Sequence, residues 1–350
     1  MSQPASLTDN LALQKAAPVG LDPDLRGGGI CAAVDLGTNN CRLLVAQPAD
    51  RGFKVIDAFS RIVRLGQGVD VNGRLSPESM GRTIGALRIC ASKIRRRGVT
   101  ASRAVATEAC RKAGNFDQFR ARVARETGLK LELISPAEEA RLALSGCAPL
   151  LDRHRRHAIV FDIGGGSTEV MWLSVSADTG AAVLIDSVSL SLGVVNLSER
   201  FGGDRMSEDR YETIIDEVMS VLARFDAVHG IADLVSADRV QMIGSSGTVT
   251  TLAGVSMGLP RYDRSRVDGS YLDMETAIAV SRSLLALDFK GRAAEPCIGR
   301  ERSDLVVAGC AVFEAIGRLW PVSQLRVADR GVREGILFDL MMSGMSRSPA

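Results

Sequence analysis

Three glycine-rich turns, each following a short apolar run, stand beside carboxylates in this 350-residue chain. They are Gly37, Thr38 and Asn39; Gly164, Gly165, Gly166 and Ser167; and Gly244, Ser245, Ser246, Gly247 and Thr248. With no Cβ in the way, successive backbone N–H groups can converge and make a small anion site, for which phosphate is the natural guest. The third turn opens a helix, whose N-terminus adds favourable partial charge. Any one turn alone is equally well a hairpin bend; three together, two carrying hydroxyls, point to phosphate. No GxxxxGK(S/T) motif occurs, which excludes a P-loop.

Asp35, Asp162 and Glu169 flank the first two turns. Carboxylates beside a polyphosphate repel it unless a cation intervenes, so Mg2+, or another divalent cation, is expected between them. In ISPAEEAR, Ser135, Pro136 and Glu138 spell a helix start with a capping box, Glu138 reaching back to the cap. The adjacent Glu139 is then free either to orient or deprotonate a water, or simply to sit in solvent near the helix dipole. Arg111 and Lys112 in ATEACRKAGN could neutralise charge on a transferred group or serve only as soluble surface.

The elements that must position these residues are short strands and amphipathic helices. ICAAVD and CRLLVA flank LGTNN as a strand, turn, strand hairpin, with further strands at FKVIDAF and RIVRL. Ser76 and Pro77 start a helix with Met80, Ile84, Leu87, Ala91 and Ile94 on one face. Strands follow at SRAVAT and KLELI, separated by a helix capped by Asn115 with Gln118 three residues on. A polar hinge at 152–157 precedes the strand HAIVFD, the turn IGGGS and the strand TEVMWLSV; a long helix begins at Ser207. RVQMI runs into GSSGT, helices follow at 273–287 and 303–319, and the strand LRVAD leads into a last helix from about Val332 to Met342. VDLGTNNCRLLV laid over FDIGGGSTEVMW matches Asp35 with Asp162 and Gly37 with Gly164, the mark of a duplicated α/β unit.

Composition narrows the field. Forty-three Lys and Arg against 41 Asp and Glu leave a net charge of +2, so nucleic acid is not singled out, and 4% aromatic residues are too few for stacking platforms. Seven cysteines, scattered and without a CxxC, fit neither a disulfide framework nor a zinc site. Three histidines exclude a histidine-rich metal centre. No membrane span or secretory leader is read, so the expected compartment is the cytoplasm. Residues 1–29 lack periodicity and read as a disordered tail. The basic runs KIRRRG and DRHRRH are either a polyanion path or a solvated helix end and a hinge.

DLGTNN, ATEACRKAGN, ISPAEEAR, FDIGGGSTEV, GSSGTVTTLAG and ADRGVREG, in that order over residues 30–342, resemble the exopolyphosphatase and guanosine pentaphosphate phosphohydrolase (Ppx/GppA) family. The resemblance implies an α/β fold of two ribonuclease-H-like domains of the actin, Hsp70 and sugar kinase superfold, with a cleft between them. Domain I would comprise 30–136 plus 330–345 and domain II 137–329. It implies hydrolysis of a terminal phosphoanhydride of inorganic polyphosphate or guanosine pentaphosphate. Glu139 would be the general base, Asp162 and Glu169 would serve metal and catalysis, Asp35 would be the acid of the first phosphate turn, and Arg111 would be the arginine of the phosphate-binding loop. Asn40 departs from the serine or threonine the family usually shows there. Longer members carry a further C-terminal region that helps hold long chains; this chain ends at Ala350, so a short polyphosphate or a nucleotide polyphosphate is expected.

Two other readings compete. DLGTNN and DIGGGSTEV would also suit an actin-like ATP-binding filament protein, although GSSGT and the EEA segment do not belong to that pattern. A sensor that binds guanosine tetra- or pentaphosphate without hydrolysing it is the third, with Glu139, Asp162 and Glu169 arguing for retained catalysis. Whether the chain forms a homodimer is left open by the sequence.

Overall fold

Runs of apolar residues buried on both faces make the central strands of this chain the middle layer of a sandwich rather than its surface. In the computed structural model, which describes residues 29–50 and 52–345, the strands are β1 (Cys31–Leu36), β2 (Asn40–Pro48), β3 (Phe53–Ile62), β4 (Ala101–Ala106), β5 (Leu131–Leu133), β6 (His157–Ile163), β7 (Thr168–Val175), β8 (Ala182–Leu190), β9 (Val240–Ser245), β10 (Tyr271–Asp273) and β11 (Gln324–Ala328). They form two mixed sheets, ordered β3-β2-β1-β4-β5 and β10-β11-β9-β6-β7-β8. Each sheet has an antiparallel three-strand meander whose first strand pairs in parallel with the next, β1 with β4 and β6 with β9. The chain is α/β, with two ribonuclease-H-like units built on the same plan.

Ala32, Val34 and Leu36 of β1 face an outer core, while Cys31 and Ala33 face a second core shared by both sheets. In β6, Ile159, Phe161 and Ile163 face the helices of the second lobe, while Ala158 and Val160 enter the shared core. This period-two division is what a sheet covered on both sides requires. Two helices fill the shared core: Pro136–Cys147 packs on β6, β7 and β8, and Val332–Met345 packs on β1, β2 and β4. They cross at glycine. A Cβ on Gly146 would lie 2.1 Å from the Gly331 carbonyl oxygen, and one on Gly335 would lie 2.1 Å from that of Leu142, so no other residue fits either position. Among the described residues, no helix is long and apolar enough to cross a membrane.

Local chemistry departs from expectation in several places. FKVIDAF and the start of RIVRL are one continuous strand, β3. Ser135 caps its helix by accepting from the Glu138 N–H, yet the Glu138 carboxylate turns outward to Arg141 and Arg103 instead of closing a capping box. Arginine offers two charge-assisted donors where the cap offers one backbone N–H. Asn115 does not cap its helix with its side chain; its amide instead makes a two-way hydrogen bond with the Leu75 backbone. Gly244 and Ser245 belong to β9 rather than to a turn, Gly244 being closely surrounded by Phe161, Leu325 and Val249. The tail expected over 1–29 lies outside the described residues, except for Gly29.

Candidate active site

The two hairpins deliver their turns to one cleft between the sheets, about 940 Å3 of space bounded also by Asp35, Arg42, Glu108, Glu139, Asp162 and Arg302. The turns nearly touch. A Cβ on Gly165 would be 3.0 Å from the Asn39 nitrogen, and one on Gly166 would be 2.6 Å from Thr38 Oγ1. The N–H groups of Gly37 and Gly164 close their own turns on the carbonyls of Asn40 and Ser167, each at 2.9 Å. Those of Thr38, Asn39, Gly165 and Gly166 have no acceptor among the described residues and are available to an anion. The third turn contributes differently. Ser246, held at φ 130°, lets its Oγ accept from the Thr248 and Val249 N–H groups, so part of that helix N-terminus is satisfied internally. Ser246, Gly247 and Thr248 still line the cleft, while Ser245 Oγ donates to the Arg330 carbonyl and Gly244 packs in the core.

Glu139 enters the cleft from the first turn of its helix, the place Pro136 and the Ser135 cap fix for it. Its Oε2 accepts from Arg111 Nη1 at 2.8 Å. Burial carries its carboxyl up to about 7; Arg111 opposes the rise, and Asp35 and Asp162 add to it. Arg111 also holds Glu108 at 2.8 Å and the Ile134 carbonyl at 3.0 Å. Most of its donors are thus engaged by Glu108, Glu139 and the Ile134 carbonyl.

Asp35 and Asp162 both line the cleft. Burial raises Asp35 against the pull of Arg42 and Arg333, and it raises Asp162 to about 6 against Arg42, with Asp35 adding repulsion. Glu169 lies behind the second turn. It is 3% exposed, and its Oε1 accepts from Ser167 Oγ at 2.6 Å and Ser189 Oγ at 3.1 Å. Burial, and then the charge of Glu139, pushes its carboxyl well above the usual range. Among the described residues no three or more acidic, histidine or cysteine groups converge as a full metal-binding set. Glu169 sits directly across the β6–β7 ladder from Asp162, with one of its two oxygens held by a pair of serine hydroxyls.

Two residues the motifs did not point to complete the cleft. Arg42, in β2, and Arg302 make no ion pair or side-chain hydrogen bond with the described residues. Burial, and then the charge of Arg42, lowers Arg302 below the ordinary guanidinium range. An unpaired, desolvated cation is costly, and an anion from solution relieves that cost. The only hint in sequence was that Arg42 is the residue laid over Glu169 when the two hairpins are aligned. Asn39 and Asn40 each keep a buried side-chain oxygen without a partner among the described residues.

The Ppx/GppA phosphatase family profile matches residues 44–344. The chain belongs to the Ppx/GppA phosphatase family. Among the relatives of this Ppx/GppA chain is a protein named exopolyphosphatase 2 from Mycobacterium tuberculosis, 31% identical over 88% of this chain and 98% of that one. A guanosine-5'-triphosphate,3'-diphosphate pyrophosphatase from Aeromonas hydrophila is 29% identical over 89% of this chain, which spans 59% of that longer protein. Among solved structures, a Ppx/GppA family member from Aquifex aeolicus superposes with a TM-score of 0.71 at 28% identity, over 93% of this chain and 100% of that one.

Proposed function

We propose that the cleft hydrolyses the terminal phosphoanhydride of inorganic polyphosphate or guanosine pentaphosphate, releasing orthophosphate. The observation that carries this reading is the convergence of two amide-bearing turns, drawn from the two halves of the chain, on a carboxylate near 7. The phosphates lie on the Thr38, Asn39, Gly165 and Gly166 amides, with Arg42 and Arg302 supplying charge. Arg111 holds one oxygen of Glu139, leaving the other to accept a proton from a water aimed at the outermost phosphorus. The water oxygen bonds to that phosphorus as the bridging P–O bond breaks. The shortened chain leaves with the bridging oxygen, and the proton passes from Glu139 to solvent.

Asp35 and Asp162 suit a divalent cation that keeps most of its ligands as water and phosphate oxygens, since two carboxylates at the cleft are less than a full ligand set. When bound, Mg2+ would screen the substrate's charge from these acids. Glu169 is in this reading the positioning group behind Ser167. We take the lobe boundary at about 136 and 330, where the two crossing helices change sheets. The names of the relatives and the retained Glu139 support a hydrolase over a filament protein or a silent sensor.

Phosphate release from polyphosphate, guanosine pentaphosphate and ATP, each with and without Mg2+, tests the reading. Glu139→Gln should keep substrate binding and lower turnover by roughly 10²–10⁴-fold. Near-normal turnover in that variant would remove Glu139 from the mechanism.

A further inference from the structure

Arg302 reaches the cleft from residues 295–305, a run of turns with no strand or helix to fix it, just ahead of the helix Val306–Leu319. A Cβ on Gly247 would lie 3.8 Å from Arg302 Nη1, so the guanidinium stands against the third turn. The residues on either side of it are held by two other arginines. Arg292, 1% exposed, donates from Nε to the Ser303 carbonyl at 2.9 Å and from its remaining nitrogens to the carbonyls of Leu287, Gly203 and Asp204. Arg64 forks onto both oxygens of Asp304 at 2.7 and 3.0 Å and reaches the Glu301 carbonyl at 3.2 Å. Arg64 itself follows β3 of the other sheet and is tied to the first turn through its backbone. Its N–H and that of Val63 both donate to the Asn39 carbonyl, at 3.0 and 2.8 Å, and the Gly66 N–H donates to the Thr38 carbonyl at 2.8 Å. Arg64 is held at φ 47°, a left-handed backbone that a residue with a Cβ seldom adopts and that persists only where its surroundings over-determine it. The same loop crosses the gap again at Gly68, whose N–H donates to Glu199 Oε1 at 3.0 Å.

We propose that Arg64 is a positioning residue for Arg302: its backbone is fixed to the first turn and its side chain to the stretch that carries Arg302, so it sets the separation between the Thr38 and Asn39 amides and that charge. This rests on the hydrolase reading in one respect, that Arg302 meets the phosphates. The planar fork of a guanidinium can hold a carboxylate and a carbonyl at once, which a lysine ammonium does less rigidly. The charge of Arg64 is matched by Asp304, so its contribution lies in geometry. A misplacement of about 1 Å is enough to forfeit much of the value of a binding group.

A mutant cycle tests this, comparing the full chain with Arg302→Ala, with the paired Arg64→Ala and Asp304→Ala, and with all three substitutions together. The paired variant removes the link without changing net charge, and the side chains it truncates are 33% and 25% exposed, so the fold should survive. Each protein is assayed for KM and kcat on tripolyphosphate and, by calorimetry, for affinity toward the imido analogue of tripolyphosphate, whose P–N–P links resist hydrolysis. Arg302→Ala should weaken KM and affinity about tenfold, the scale of one charge-assisted hydrogen bond, and the paired variant about fivefold with kcat held within about twofold. The triple variant should be no worse than Arg302→Ala alone, because a brace then has nothing left to position. Arg64→Lys keeps the charge and loses the fork, and should show a smaller loss that also disappears without Arg302. Losses that multiply in the triple variant, or unchanged affinity in the paired one, would overturn the assignment. Coupling in analogue binding with no phosphate release from the wild type would uphold the brace and strike the hydrolase reading, whereas no binding by the wild type would overturn both.

Discussion

The two glycine hairpins share a backbone and differ in one charge. In the first, Asp35 sits directly across the β1–β2 ladder from Arg42; in the second, Asp162 sits directly across β6–β7 from Glu169. Opposite residues on antiparallel strands lie close on one face, so an acid facing a base stabilises its pair, while an acid facing an acid destabilises it. Burial raises both aspartates and Arg42 opposes that rise at each, whereas Glu169, raised by burial and then by the charge of Glu139, is opposed only by the two serine hydroxyls it accepts from. In the proposed function the duplicated frame divides its labour, the first hairpin supplying a cation to bind substrate and the second an acid layer behind the chemistry.

Reversing the first hairpin's charge should break that division most severely. Arg42→Glu sets a further carboxylate beside Asp35 and Asp162, and like charges so placed cost several kcal/mol. We expect kcat/KM for polyphosphate to fall by about 10³, measured by phosphate release with folding checked by circular dichroism. A loss of less than threefold would mean Arg42 does not meet the substrate.

Arg111→Ala should come next, at about 10² in turnover at neutral pH. Arg111 pulls the Glu139 carboxyl downward, so its removal raises that carboxyl above 7 and leaves less of the base ionised. Raising the pH should recover part of the activity, and a loss that is flat in pH would show that Arg111 acts on the phosphate instead.

The gap between the hairpins is tested by Gly165→Ala, whose new Cβ would lie 3.0 Å from both the Asn39 nitrogen and Thr38 Cβ. Pushing the turns apart should cost about tenfold in kcat/KM, mainly through KM, with a small change in melting temperature. An unchanged KM would show that the two turns need not act together.

The smallest effect is expected from Asn40→Ser, which gives the first turn the residue that Ser167 supplies to the second. It removes a buried oxygen with no partner, so stability should rise by about 1 kcal/mol, read from chemical denaturation. A drop would show that Asn40 is satisfied in solution.

Much of this arrangement was legible in the chain because it is local. Glycine turns after apolar runs, the Ser135–Pro136 helix start and the repeated Asp-x-Gly each follow from neighbouring residues, and together they located Glu139, Asp35 and Asp162. What was not legible depends on tertiary pairing. Nothing local shows that Arg111 is committed to Glu108 and Glu139, or that Arg42 and Arg302 lack partners, since burial and ion pairing are set by segments distant in sequence. The Glu138 and Asn115 caps failed for the same reason, each side chain finding a stronger or more buried partner in Arg141 and Leu75. Gly244 and Ser245 look like turn residues by composition, yet parallel pairing with β6 and β11 extends the strand through them.

The most direct measurement is the pH dependence of kcat/KM in wild type and in Glu139→Gln. A base must be ionised to act, so wild-type activity should be full above about 7 and fall as the pH drops through that value. In Glu139→Gln the limb near 7 should vanish, leaving a low rate governed by the remaining groups. The same limb in both proteins, at comparable rates, would contradict the account.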